Sequence, residues 1–316
     1  MMYATLFPDT NEIKIQQETT FYNKSDNLLN EVYFHNWPNA YKDKQTPLAK
    51  RFIENYSKTF HFTNEKHRGN TKINGISLNF DVATFEITDE NPDFLKVNLN
   101  DPLKPKDSVK ISATYLVKIP NDKFTKYGAS EFEYNLRYWY LAPAIYDKKW
   151  RLYNNLDIDD LYIDYTDYNI SFKLPKEYEI NTDLKASYFI KDSIKNYGLS
   201  GKNRLDISLN ISKASYYKEY LFDDISISTN ILSDDIKTDV KTNILKREFY
   251  FIKTFLGRYP HNKMLLSKIE YDKNPVYGFN QLPSFLAAYN NAFEWDIKLF
   301  KVLSKKYIDE IFLFNN

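Results

Sequence analysis

The chain of 316 residues contains no cysteine. Disulfide staples and thiolate metal sites are therefore excluded, and any zinc would need histidine or carboxylate ligands. Only seven glycines are present, and no Gly-x-Ser-x-Gly elbow, phosphate-cradling loop or dinucleotide fingerprint occurs among them. The four histidines, His35, His61, His67 and His261, include no pair at the i, i+4 spacing that sets two imidazoles on one helix face for a metal. Each is expected to be a surface or packing residue. No run approaches the roughly 18 apolar residues of a membrane span, and the start, Met1 to Pro8, lacks the basic and apolar stretches of a signal peptide. A soluble, cytoplasmic protein is the expectation, or an exported one if an upstream segment is missing.

Charge of one sign is also missing. The formal net charge is +1 with the two signs interspersed, which gives no electrostatic footprint for nucleic acid. What is abundant is apolar and aromatic matter, 43% and 17% of the residues, and its spacing changes along the chain.

From Glu12 to about Ser212 the apolar period is two, best seen in Val109, Ile111, Ala113, Tyr115, Val117 and Ile119 and again in Leu205, Ile207, Leu209 and Ile211. Shorter apolar stretches fall at Val32 to Phe34, Leu78 to Ile87, Leu95 to Leu99 and Ile170 to Leu174. Turns are expected at Asn91-Pro92, Asp101-Pro102 and Gly198 to Gly201. With no long helical pattern between them, these strands predict an all-β sandwich or saddle domain over residues 1–215.

After Asn230 the period becomes helical. Ile236, Val240, Ile244, Phe249, Ile252 and Phe255 follow the acidic cap Ser233-Asp234-Asp235, and Gly257 with Pro260 marks the stop. A strand from Met264 to Ile269 and a helix from about Ala292 to Phe312, through Phe293, Ile297, Phe300, Leu303, Tyr307 and Ile311, complete a mixed α/β part, residues 216–316.

Three clusters invite a functional reading. Asp157-Ile158-Asp159-Asp160, with Asp164 and Asp167, has spacings that suit a hard cation but lacks the central glycine of the usual loop, so a solvated acidic turn is preferred. Tyr138-Trp139-Tyr140, with Pro143, Tyr146 and Trp150, is the densest aromatic group, read as core packing ahead of a cleft wall. Asn274 to Pro283 reads as a loop or edge strand in which Gly278 permits close backbone approach.

The segments Tyr33 to Lys42, Trp139 to Asp147 and Tyr277 to Pro283, in this order and spacing, resemble bacterial aminopeptidase N-like zinc metallopeptidases, the gluzincins related to leukotriene hydrolase. The resemblance implies a β-saddle domain followed by the start of a thermolysin-like catalytic domain. It also implies a substrate strand, Gly-x-Met-Glu-Asn, and a zinc helix carrying His-Glu-x-x-His. Laid on this chain, the strand motif places Gly278 on its glycine, with Phe279 next, Asn280 on its methionine and Gln281 on its glutamate. The carboxylate that would pair with a substrate amino terminus becomes a neutral amide. The zinc helix positions fall near Lys305-Lys306-Tyr307-Ile308-Asp309, which supply no pair of histidines and no general base. Tyr138 stands where relatives place a glutamine that helps hold the amino terminus.

The implied relic cleft is thus Tyr138, Gly278, Phe279, Asn280 and Gln281, with no catalytic residue, no metal ligand and no cofactor, although active family members carry zinc. A non-catalytic relative that binds a peptide or protein partner is the expected function. The alternative is a piece of a longer zinc aminopeptidase whose catalytic residues follow residue 316.

Overall fold

The computed structural model describes residues 1–125, 127–156, 161, 163–214, 216–231, 237–272 and 291–314, with side chains of 291–295 and 312–314 left aside. The chain divides into two compact units, Met1–Ile180 with Leu184–Lys213, and Asn181–Asp183 with Ala214–Asn316. It is β-rich throughout the first unit and mixed in the second.

In chain order the strands are β1 (Met2–Phe7), β2 (Glu12–Tyr22), β3 (Leu29–His35), β4 (Asn70–Leu78), β5 (Asp81–Val82), β6 (Phe85–Glu86), β7 (Phe94–Leu103), β8 (Ser108–Lys118), β9 (Glu133–Leu136) and β10 (Ala142–Pro143). There follow β11 (Ile145–Asp147), β12 (Lys149–Arg151), β13 (Thr166–Pro175), β14 (Glu179–Thr182), β15 (Lys185–Lys191), β16 (Ile194–Arg204) and β17 (Leu209–Ser212).

An eight-stranded sheet runs β15-β16-β13-β1-β2-β8-β4-β5, and a four-stranded sheet runs β10-β3-β7-β6. Alternation decides which face is inside: in β8, Val109, Ile111, Ala113, Tyr115 and Val117 are buried while the residues between them are not, as period two requires. These side chains share one core with Val32 and Phe34 of β3 and Leu95 and Val97 of β7, so the two sheets bury their inner faces in a common core.

Three expectations are corrected here. The first part is not wholly β: helices α1 (Pro47–Glu54) and α2 (Thr59–Phe62) lie between β3 and β4. Thr46 caps α1 by accepting from the Ala49 N–H at 3.1 Å, Pro47 opens it, and Leu48, Ala49 and Phe52 pack with Tyr41, Phe60 and Phe124. That is a Ser/Thr cap followed by proline at the first helical position, a signal too short to disturb the strand pattern.

Asp101-Pro102 is not a turn but the end of β7, beyond a register shift against β3, with Pro102 exposed. β6 pairs only with Lys96 and Val97, so the far end of β7 is an edge, where a missing N–H is tolerated. Gly198 and Gly201 lie inside β16, Gly198 paired with both β13 and β15 and Gly201 with β13. The turn is instead Asp192-Ser193, with Asp192 at φ 56°. Gly201 is needed for a different reason, since a Cβ there would come within 2.6 Å of Leu184 Cδ2.

In the second unit β18 (Lys218–Phe222) pairs antiparallel with β19 (Ile225–Thr229), and β19 pairs parallel with β20 (Lys263–Leu266). Helix α3 (Thr238–Leu256) connects β19 to β20, α4 (Lys268–Asp272) follows, and α5 spans Asn291–Phe314. Ile269 therefore belongs to α4 and not to a strand. Residues 232–236, which hold the expected acidic cap and Ile236, lie outside the described residues; the helix begins after Lys237.

The buried face of α3 is Ile244, Leu245, Phe249 and Ile252, against Leu299, Val302, Leu303 and Tyr307 of α5 and the sheet residues Ile227, Met264 and Leu266. Val240, Phe255 and Phe300 are exposed instead of buried. The inward stripes are rotated from the expected ones because Glu248, Lys306 and Glu310 occupy inward positions.

Gly257 ends α3 at φ 86°, ψ −163°, its N–H donating to the Lys253 carbonyl at 2.9 Å. That region of backbone space belongs essentially to glycine. Gly257→Ala is expected to destabilise the second unit by about 1–3 kcal/mol, measured as faster hydrogen exchange in α3 and α5.

Candidate functional site

In the first unit the aromatic group around Tyr138 is built from inside the core. Tyr115, fully buried on β8, donates its hydroxyl proton to Gln17 Oε1 and accepts from the Leu141 N–H at 3.0 Å. Gln17 Nε2 donates to the Leu141 carbonyl at 2.7 Å. Burial pushes the Tyr115 phenol well above its ordinary range, so it remains a hydroxyl that can both donate and accept. This closed triangle pins the 139–142 backbone to the sheet. Tyr115→Phe leaves Gln17 Oε1 and the Leu141 N–H without that hydroxyl, at an expected cost of about 2 kcal/mol. Denaturant unfolding at neutral pH measures it.

Tyr138 is only 6% exposed, sits at φ 52° and donates its hydroxyl to the Leu161 carbonyl at 2.9 Å. Its ring meets Trp37 edge-on at 4.8 Å, and the Arg137 guanidinium lies 4.8 Å from its centroid. Arg137 is itself ion-paired with Asp206 and donates to the Tyr127 hydroxyl at 3.1 Å. Burial opposes its charge, and the neighbouring Tyr138, Tyr127 and Asp206 more than offset it, so the guanidinium's pKa stands well above its ordinary value.

Trp37 also stacks on His35 at 4.4 Å, and its indole donates to the Tyr153 carbonyl at 2.8 Å. His35 Nε2 accepts from the Tyr153 N–H at 3.2 Å, and burial pulls the imidazole down to about 4, so it is neutral at physiological pH. Thus two of the segments that carry the family resemblance, Tyr33 to Lys42 and Trp139 to Asp147, belong to one packed assembly of the first unit.

The cavity beside it, lined by Trp37, Tyr41, Tyr127, Arg137, Tyr138 and Trp139 among others, has a volume of about 40 Å³. That is room for ordered water and not for a peptide residue. Tyr138, Trp139 and Tyr140 are buried, and Tyr146 and Trp150 are half-buried and pack on the same core. Gly278, Phe279, Asn280 and Gln281 lie outside the described residues, so the structure places Tyr138 alone of the five relic-cleft positions. The acidic residues Asp157, Asp159 and Asp160 are outside them too. Asp164 is held by Lys24 at 2.5 Å, and Asp167 accepts from the Asn203 N–H at 2.9 Å.

In the second unit the positions laid on the zinc helix are on α5. Lys306 Nζ lies 3.1 Å from Asp183 Oδ2, with side chains 13% and 1% exposed. Burial alone would lower the ammonium's pKa. Asp183, Tyr259, Glu310 and Glu270 oppose that and hold it well above its ordinary value. One turn on, Glu310 Oε2 lies 3.1 Å from His261 Nε2, both side chains under 10% exposed. Lys305 instead pairs with Asp309 at 2.9 Å, half in solvent.

Zinc ligation needs converging neutral histidine nitrogens and carboxylate oxygens. Here an ammonium that stays charged stands among the carboxylates, supplying no lone pair, and among the described residues no three histidine, aspartate or glutamate side chains are grouped as metal donors. The described side chains of α5 do not fit zinc. Glu310, His261 and Asp183 escaped the sequence reading. The available signal was that Lys306 and Glu310 fall on the same face as Leu299, Val302, Leu303 and Tyr307, where a charge demands a partner.

No family model matches the chain, and no curated protein is similar to it in sequence. Solved structures are similar in fold. A two-domain M1 zinc metallopeptidase mutant bound to L-arginine superposes with a TM-score of 0.52 at 8% identity, covering 84% of this chain and 54% of its own. In fold the chain is similar to M1 zinc metallopeptidases. The M1 zinc metallopeptidase of Deinococcus radiodurans gives the same TM-score, identity and coverage, as does its mutant bound to a Tyr-Ser-Ala substrate. The chain spans about half the length of these M1 structures. Among the described residues, no helix is long and apolar enough to cross a membrane.

Proposed function

We propose that the chain is a zinc-free relative of the M1 metallopeptidases, which keeps their frame and binds a peptide or protein partner without cleaving it. The reading rests on the ion pair between Lys306 of α5 and Asp183, which follows β14. A nearly buried ammonium, paired with a carboxylate from elsewhere in the chain, stands among the positions, Lys305 to Asp309, where the resemblance calls for metal ligands and a general base. An ion pair there neutralises Asp183 without a metal, and a metal would first have to displace a charged lysine from a nearly buried site. Gln281 in place of a glutamate supports the same reading from a second segment, because an amide has no charge with which to hold a substrate ammonium.

A second reading is supported by the length comparison: the chain covers 54% of the M1 structures it resembles, as a piece of a longer zinc aminopeptidase would. Two measurements separate the readings. Equilibrium dialysis of the purified chain against micromolar zinc is expected to show no stoichiometric uptake, and a panel of aminoacyl fluorogenic substrates no turnover. An in-frame coding sequence downstream that supplies histidine and glutamate ligands would favour the second reading.

A further inference from the structure

The eight-stranded sheet has two different edges. At one end β5 is two residues long, and a short edge offers little to pair with. At the other, β15 runs for seven residues, Lys185 to Lys191, every one exposed. Among the described residues only β16 pairs with it. Its centre is three consecutive apolar residues, Tyr188, Phe189 and Ile190, which are 57%, 64% and 54% exposed. A long edge with unsatisfied N–H and C=O groups and an apolar middle is a template for an added strand, with backbone bonds giving affinity and side chains giving choice.

The edge is held in shape. β15 keeps an unbroken register with β16 from Lys185↔Ser200 to Lys191↔Ile194. The Tyr188 ring lies 5.1 Å from that of Tyr197, with the Lys195 ammonium 5.0 Å from its centroid.

Charge selects the occupant. Lys185 and Lys191 close the strand at both ends. An antiparallel pairing of two copies about Tyr188 would set Lys185 of each opposite Lys191 of the other, and like charges directly opposite destabilise a ladder. A strand with acidic residues at those two positions reverses the sign of both contacts.

We propose that β15 is the docking edge for an extended segment of another protein, apolar at its centre and acidic at both ends, which adds to the eight-stranded sheet. This rests on the first unit alone and is independent of how the α5 residues are read.

The test uses the full chain and two symmetric heptapeptides, Glu-Thr-Val-Tyr-Val-Thr-Glu and its counterpart with lysine at both ends, whose symmetry makes strand direction immaterial. Calorimetry is expected to show the acidic peptide binding at least ~10-fold more tightly, about 1.4 kcal/mol, with slowed hydrogen exchange in β15. The double variant Lys185→Glu/Lys191→Glu, changed only at exposed positions, is expected to reverse the preference. Absence of binding by either peptide at millimolar concentration, equal affinity for both, or a reversible dimer of the chain through β15 would overturn the proposal.

Discussion

Lys306→Ala is expected to lower the stability of the second unit by on the order of 3 kcal/mol, the loss that follows when one partner of a buried ion pair is removed. Asp183 is 1% exposed and loses the cation 3.1 Å away, while Glu310, the next charge along the same face of α5, loses a favourable neighbour. Double replacement by Lys306→Met with Asp183→Asn removes both charges and is expected to recover most of that loss, since an uncharged pair leaves no buried ion unbalanced. Native-state hydrogen exchange of α5 amides reads the second unit separately. A single-variant loss below about 0.5 kcal/mol, the scale of an exposed pair, would show that the lysine is solvated.

The other large effect is at Glu248, on the buried face of α3. Among the described residues neither of its carboxyl oxygens has a well-formed hydrogen-bond partner, and the group faces Asp296 of α5. Burial, with the Asp296 carboxylate adding to it, pushes Glu248 up to about 10. Asp296 is held below the usual carboxylate range by the neighbouring Glu248 carboxyl and by Arg247 at 2.5 Å.

A carboxyl whose folded pKa is raised binds its proton more tightly folded than unfolded. Its contribution is fully present below the unfolded value, 4.5, and is lost as pH rises toward about 10. The slope is at most about 1.4 kcal/mol per pH unit. Asp296 has the opposite sign, and its contribution is lost only as pH falls below the ordinary aspartate value. Between pH 5 and 9, therefore, the second unit is expected to weaken with rising pH in the natural chain and to stay flat in Glu248→Gln. The variant should be the more stable at pH 8, by up to about 5 kcal/mol, the full slope acting from 4.5 to 8. A natural chain with no slope over that range would place the Glu248 carboxyl in water.

Glu248 also shows why the helices were harder to read than the strands. Period two in β8 and β13 is enforced by one sheet face each, so Val109 to Val117 and Ile170 to Leu174 announced themselves. On α3 and α5 the inward stripe includes Glu248, Lys306 and Glu310, and any reading by apolar spacing alone rotates toward Phe255 and Phe300, which are exposed. Their partners are distant: Asp183 is 123 residues from Lys306 and His261 is 49 from Glu310. No local spacing can reveal such a pair.

The glycines misled for a related reason. Gly198 and Gly201 sit inside a paired strand, and at Gly201 the need is for space beside Leu184 and Arg204, not for a turn. Of the candidate site, the packing role of the Tyr138 group was legible because aromatic residues in alternating strands are usually core. The roles of Tyr115 and Gln17 in anchoring it were not, since both lie on other strands, 26 and 124 residues from Leu141.

On the proposed zinc-free reading, the Lys306–Asp183 ion pair takes the place of a metal site. Metal analysis of the purified full chain, after dialysis against micromolar zinc and then against metal-free buffer, tests it most directly. The expected result is less than about 0.1 zinc per chain, since a chain without converging histidine and carboxylate ligands has no closed site to hold the metal through dialysis. One tightly held zinc per chain would contradict it and return the enzyme reading.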